Sequence, residues 1–158
     1  MVRLADLPPA EAKAHLDRVS SLPQFTSTPF VKGTPLPKRR VALITTAGLH
    51  LRSDQPFDSG GAGIDYRVIP GDVGPGDLVM SHASVNFDRT GFQSDCSVVF
   101  PLDRLKELAR DKLIGAVAAF HYSFMGAIPR VERYEAKARE LAGLLRKDGV
   151  DAVLLTPV

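Results

Sequence analysis

The sequence predicts an α/β fold: an open, mainly parallel sheet with crossover helices in Rossmann-like layers, behind an extended proline-rich N-terminal arm. Three observations predict it. From Lys38 onward, apolar β-branched runs alternate with segments of helical periodicity. The connections between them are short, as parallel strand–helix–strand units require. Six of the 12 prolines fall earlier, at Pro8, Pro9, Pro23, Pro29, Pro35 and Pro37. The expected organisation is therefore residues 1–37, a helix and arm, and residues 38–158, an α/β domain. At 158 residues the chain is long enough to bury a real core.

The elements follow in order. "PPAEAKAHLDRV" suits a short helix, since proline is tolerated in a first helical turn. Ser20 to Pro37 then reads as an arm laid over the domain, because each proline removes a donor and fixes φ. "RRVALITTAG" is a strand buried on both faces and ended by glycine. "YRVIP" and "GDLVMSH" are short strands. "PLDRLKELARDKLIG" is a helix with Pro101 in its first turn and Leu102, Leu105 and Leu108 on one face. "GAVAAF" is the next strand. In "IPRVERYEAKARELAGLLRKDG", Val131, Tyr134, Ala138, Leu141 and Leu145 form a helical stripe that Gly149 stops. "VDAVLLTPV" closes the chain as a strand expected to be buried.

Composition excludes several classes. Hydrophobic residues are 44% and charged residues 24%, a soluble globular balance. A formal charge of +2 is too small to argue for nucleic acid or an anionic membrane. No apolar run is long enough to span a bilayer, and the first residues carry no apolar segment of signal-peptide type, so no leader is expected. The single cysteine, Cys96, forms no internal disulfide and fits a reducing cytoplasm.

Three of the 4 histidines follow predicted strands: His50, His82 and His121. In a parallel sheet they would share one rim with the chain end, where open α/β sheets place their sites. His82 opens "HASVNFDRTGFQSD", which carries Asn86, Asp88, Arg89, Thr90, Gln93 and Asp95. So many hydrogen-bonding groups in a row pair with each other or with a ligand. Plainer roles stand beside these. A strand-end histidine often bonds a loop carbonyl, Asp88–Gly91 can be a turn closed by an ion pair, and Cys96 suits a small buried apolar site. No HxH or HExxH spacing supports a metal, and no dinucleotide fingerprint is present.

"RRVALITTAGLHLRSDQPFD", "DYRVIPGD", "DLVMSHASVNFDRTGFQSD", "VVFPLDRLKEL", "IGAVAAFHYSFMGAIP" and "DGVDAVLLTPV" together resemble the selenoprotein B family of glycine, sarcosine, betaine and D-proline reductases. The likeness runs from about Lys38 to Val158, and "VNFDRTGFQ" and "HYSFMG" are its specific segments. In that family the strand similar to "DAVLLTPV" is followed at once by selenocysteine or cysteine and a further segment. The resemblance implies that residues 1–158 stop one residue before the nucleophile, as when a UGA codon is read as termination. It also implies an oxidoreductase in which a selenolate or thiolate cleaves a C–N bond of an amino acid or related amine. A thiol donor of thioredoxin type would then reduce the intermediate. A partner reductase subunit would carry a pyruvoyl group, and this chain would hold no cofactor.

A chalcogenolate just after Val158 would emerge on the rim carrying His82 and His121, which are expected to stabilise the anion or protonate the leaving nitrogen. Arg89, oriented by Asp88, grips a substrate carboxylate; Asn86, Ser123 and His50 complete the substrate side. Residues 1–158 alone are expected to be inactive, to expose Leu154 and Leu155 unless the last strand is interior to the sheet, and to form a homo-oligomer. The alternative is a non-catalytic α/β module that binds a small carboxylate or a metal through its histidine rim.

Overall fold

A computed structural model describes residues 3–23, 31–58, 63–84, 87–126 and 131–158. Residues 1–30 and 31–158 form separate compact units. In the first, α1 (Pro9–Ser20) begins on a proline, as the sequence predicts. The arm reading of Ser20 to Pro37 falls partly outside the described residues; Leu36–Lys38 makes one 3-10 turn.

The second unit is α/β with a mixed sheet. Strand β1 (Arg40–Thr45) is its hub. β2 (Leu49–Leu51), β3 (Tyr66–Pro70) and β4 (Leu78–Met80) follow. Next come the short helix α2 (Thr90–Ser94), α3 (Leu102–Arg110), β5 (Ala116–Val117), β6 (Phe120–Phe124), α4 (Glu135–Lys147) and β7 (Ala152–Thr156). β5, β6 and β7 all run parallel to β1. β3 pairs with β6 antiparallel, so the sheet is not uniformly parallel. β2 and β4 form a separate antiparallel ribbon.

The alternation of side chains along these strands divides the core between two faces. On one, Leu43, Ile69, Phe100, Leu102 and Leu105 are buried together, and α3 covers them. On the other, Tyr122 and Phe124 pack with Leu141 of α4. Leu108 does not join its helical neighbours inside and is 37% exposed. An i, i+3, i+6 series drifts around a 3.6-residue helix, which carries the third leucine off the buried stripe. α4 ends as expected, with Gly149 at φ 68°.

Two strand readings need correction. "GAVAAF" is not one strand ending before His121. It breaks into β5 and β6, and His121 is the second residue of β6. The polar side chains of His121 and Ser123 disguise that strand, but both point inward and bond backbone N–H groups. The strand near the end of the chain, β7, is not buried: Val153, Leu154 and Leu155 are 39%, 41% and 66% exposed. Its pairing explains this, because among the described residues β7 bonds only to β1.

Candidate functional site

The parallel strands β1, β6 and β7 end together, and the chain leaving each one is tied to the others. Thr46 N–H donates to Thr156 O at 3.3 Å, and Gly126 N–H donates to Thr46 O at 2.8 Å. Thr46 Oγ1 accepts from Val158 N–H at 2.8 Å. Ala47 and Met125 form an isolated antiparallel bridge beside this junction.

The β2–β4 ribbon delivers His82 to the same place. Gly48 makes this possible: at φ 66° it turns β1 into the ribbon. A Cβ at Gly48 would sit 3.1 Å from both N and Cα of His82. Ser81 N–H bonds Gly48 O at 2.9 Å, and Ala83 N–H lies 3.2 Å from Met125 Sδ. His82 is buried, and its ring packs 5.0 Å from that of Phe87.

Hydrogen bonding fixes the state of that ring. His82 Nδ1 accepts from Ser84 N–H at 3.1 Å, so in the neutral ring the proton is on Nε2. That Nε2 is buried with no hydrogen-bond partner among the described residues. It points toward Gly126: a Cβ there would stand 2.7 Å from His82 Nε2, 2.8 Å from Thr46 O and 3.3 Å from Val158 O. Burial holds the His82 pKa below its usual value, and the Arg89 guanidinium lowers it further. At neutral pH the site therefore presents an uncharged N–H donor rather than an imidazolium. Such a group can donate a hydrogen bond to a developing anion.

The other candidates have different surroundings. His121 is fully buried, and its Nδ1 accepts from Leu43 N–H at 2.9 Å. Among the described residues its Nε2 is also without a partner, but it lies beside Gly71, with the Phe100 ring perpendicular to its own. Burial pushes its pKa down to about 4. His50 is saturated: Nδ1 faces Leu51 O at 2.7 Å and must carry the hydrogen, so Nε2 accepts from Ser81 Oγ at 2.8 Å. Ser123 Oγ accepts from Leu49 N–H at 2.7 Å inside the core.

Among the described residues Asp88 bonds Thr90 rather than Arg89. Its carboxylate takes both N–H and Oγ1 of Thr90, at 2.9 and 2.7 Å, which hold its pKa low. Arg89 is exposed and donates through Nη2 to His82 O at 2.5 Å. Asn86 lies outside the described residues. Cys96 sits in a 3-10 turn, where burial and the Asp95 and Asp103 carboxylates raise its thiol to about 11. Among the described residues, no three His, Cys, Asp or Glu side chains are grouped to hold a metal.

Sequence reasoning missed Thr46 and Gly126. The local signals are a threonine doublet at the end of β1 and a glycine after β6, the latter within the "HYSFMG" segment; neither is specific to a site on its own.

This is an α/β domain with an unpartnered imidazole donor set against the ends of parallel strands. Comparison with known sequences supplies its class. A sequence model for the glycine/sarcosine/betaine reductase selenoprotein B family matches residues 65–158. The chain is 37% identical over 134 residues to the D-proline reductase subunit gamma of Acetoanaerobium sticklandii, covering 82% of this chain and 54% of that one. It is 31% identical over 125 residues to the glycine reductase complex component B subunit gamma of Symbiobacterium thermophilum, covering 77% and 29% respectively. A sarcosine reductase complex component B subunit beta from Peptoclostridium acidaminophilum is 28% identical over 123 residues, 75% of this chain and 28% of that one. The chain belongs to the glycine/sarcosine/betaine reductase selenoprotein B family. It spans about half the length of the D-proline reductase subunit and under a third of the other two. No solved structure matches it.

Proposed function

We propose that the chain is part of a B-type reductase component that reductively cleaves a C–N bond in a small amino acid or related amine. The observation that carries this reading is the junction where His82 Nε2, Gly126 and Val158 meet. The reductase names of its relatives support it.

On this reading the component carries a selenolate or thiolate just after Val158. It attacks the carbon bearing nitrogen. A carbon–chalcogen bond forms, the C–N bond breaks, and the electron pair leaves on nitrogen, which takes a proton. A thiolate of a thioredoxin-like dithiol then attacks the chalcogen. Carbon departs with the bonding pair and a proton, and a chalcogen–sulfur bond forms. The donor's second thiol closes a disulfide and releases the nucleophile, so two electrons pass from the dithiol to the substrate.

His82 Nε2–H would donate to the chalcogenolate, and Arg89 beside it would meet a substrate carboxylate. His121 would act only as a buried support, through Leu43. A pyruvoyl group on a partner subunit would activate the amine; no residue of this chain is assigned to hold it. The proposal includes a cytoplasmic setting, consistent with a single cysteine.

The experiment uses the full-length component with its partner subunits, the residue after Val158 being cysteine in one form and serine in another. Amine release from glycine, sarcosine and betaine, and ring opening of D-proline to a linear amino acid, are followed with a dithiol reductant. The reading expects turnover of at least one substrate by the cysteine form and none by the serine form. Equal turnover by both would refute it.

A further inference from the structure

The last registered pair between β1 and β7 is Thr45 with Thr156. Beyond it stands Pro157, which has no N–H, so an ordinary ladder cannot continue. Thr46 holds the departing chain nonetheless. Its N–H bonds Thr156 O at 3.3 Å. Its Oγ1 accepts from Val158 N–H at 2.8 Å and stands 3.4 Å from Val158 O. Its carbonyl accepts from Gly126 N–H at 2.8 Å.

Burial does not require the bonds to Val158. Val158 is exposed and Thr46 only half-buried, so water would satisfy the same groups. What the bonds fix is position. They hold the Val158 carbonyl 3.3 Å from the Cβ site of Gly126, the same point that lies 2.7 Å from His82 Nε2.

We propose that Thr46 is a positioning residue for the reductive step: its hydroxyl fixes the peptide unit of Val158 and so aims the residue that follows toward His82 Nε2. This rests on the reductase reading above and deepens it. A nucleophile must start within a near-attack geometry, and a misplacement of about 1 Å can cost about 100-fold in rate.

The test uses the full-length component with cysteine after Val158, comparing wild type, Thr46→Val and Thr46→Ser. Valine keeps the shape and β-branching of threonine but removes the acceptor; serine keeps the acceptor. Thr46→Val should lower kcat about 10- to 100-fold while leaving KM for the amine within about twofold. Thr46→Ser should stay close to wild type in both. A second readout is the pH dependence of alkylation of that cysteine by iodoacetamide. Its apparent pKa should rise in Thr46→Val, which no longer holds the thiolate near the His82 donor, and not in Thr46→Ser.

Wild-type kcat and an unchanged alkylation profile in Thr46→Val would overturn the proposal. So would equal losses in both variants that follow their melting temperatures, since Thr46 would then be only structural. Failure of the underlying reading looks different: the wild-type component would show no turnover, or turnover that survives replacing the cysteine after Val158 by serine.

Discussion

Gly126 faces His82 across a gap that admits no side chain: a Cβ at Gly126 would stand 2.7 Å from His82 Nε2. Thr46 O, a backbone carbonyl at 2.8 Å, hems in the same point and cannot swing away as a long side chain would, and Val158 O lies 3.3 Å from it. Gly126→Ala should therefore lower unfolding free energy by about 1–3 kcal/mol, the usual cost of overpacking. Denaturant unfolding of both proteins checks this. A variant as stable as wild type would mean that the strand ends are not packed as described.

His121 should make stability depend on pH. Burial holds its folded-state pKa at about 4, below the unfolded value of 6.5. Below pH 6.5 the unfolded chain takes up a proton that the folded one refuses, so stability is fully present above that pH. It is lost as pH falls toward 4, by up to about 3 kcal/mol. His121→Asn keeps an acceptor for Leu43 N–H without a titrating ring, and its stability should vary less over this range. Urea midpoints between pH 7 and pH 4 give the comparison; identical slopes would show that His121 does not titrate as stated.

Cys96 should be a slow nucleophile. Burial, followed by the Asp95 and Asp103 carboxylates, lifts its thiol from 9.0 to about 11. The thiolate fraction near neutral pH then drops about 100-fold, and reaction with a thiol reagent should slow comparably. Labelling in native buffer and in denaturant measures the ratio. Equal rates would return Cys96 to candidacy as a reactive thiol.

Much of the framework was legible in the sequence. β1, β4, β7 and helices α1, α3 and α4 follow from apolar periodicity, proline placement and Gly149, because those signals are local. Strand direction was not legible: nothing in "YRVIP" distinguishes the antiparallel β3 from a parallel neighbour. β6 was cut short because His121 and Ser123 look like loop residues until Leu43 and Leu49 are seen to donate to them. The same local logic singles out His82, a polar residue following a strand. It does not reach Thr46 and Gly126, whose contacts exist only where β1, β6 and β7 converge.

β7 leaves Val153, Leu154 and Leu155 exposed along a sheet edge. Exposed apolar edge strands favour association, most often as closed two-fold pairs. Residues 1–158 should form a concentration-dependent dimer, and Leu155→Lys should shift it toward monomer. Light scattering across a dilution series reads both. A monomer at every concentration, or a dimer indifferent to the lysine, would place association elsewhere.

The most direct measurement is dithiol-dependent amine release by the full-length component carrying His82→Leu or His82→Gln. Leucine removes the Nε2–H donor from the strand-end junction, whereas glutamine retains an N–H that can reach the same space. With both variants folded by circular dichroism, His82→Leu should lose about 100-fold or more in kcat, the scale of removing one donor to a developing anion. His82→Gln should keep a larger share of activity. Wild-type kcat in a folded His82→Leu variant would contradict the assignment of this junction as the reductive site.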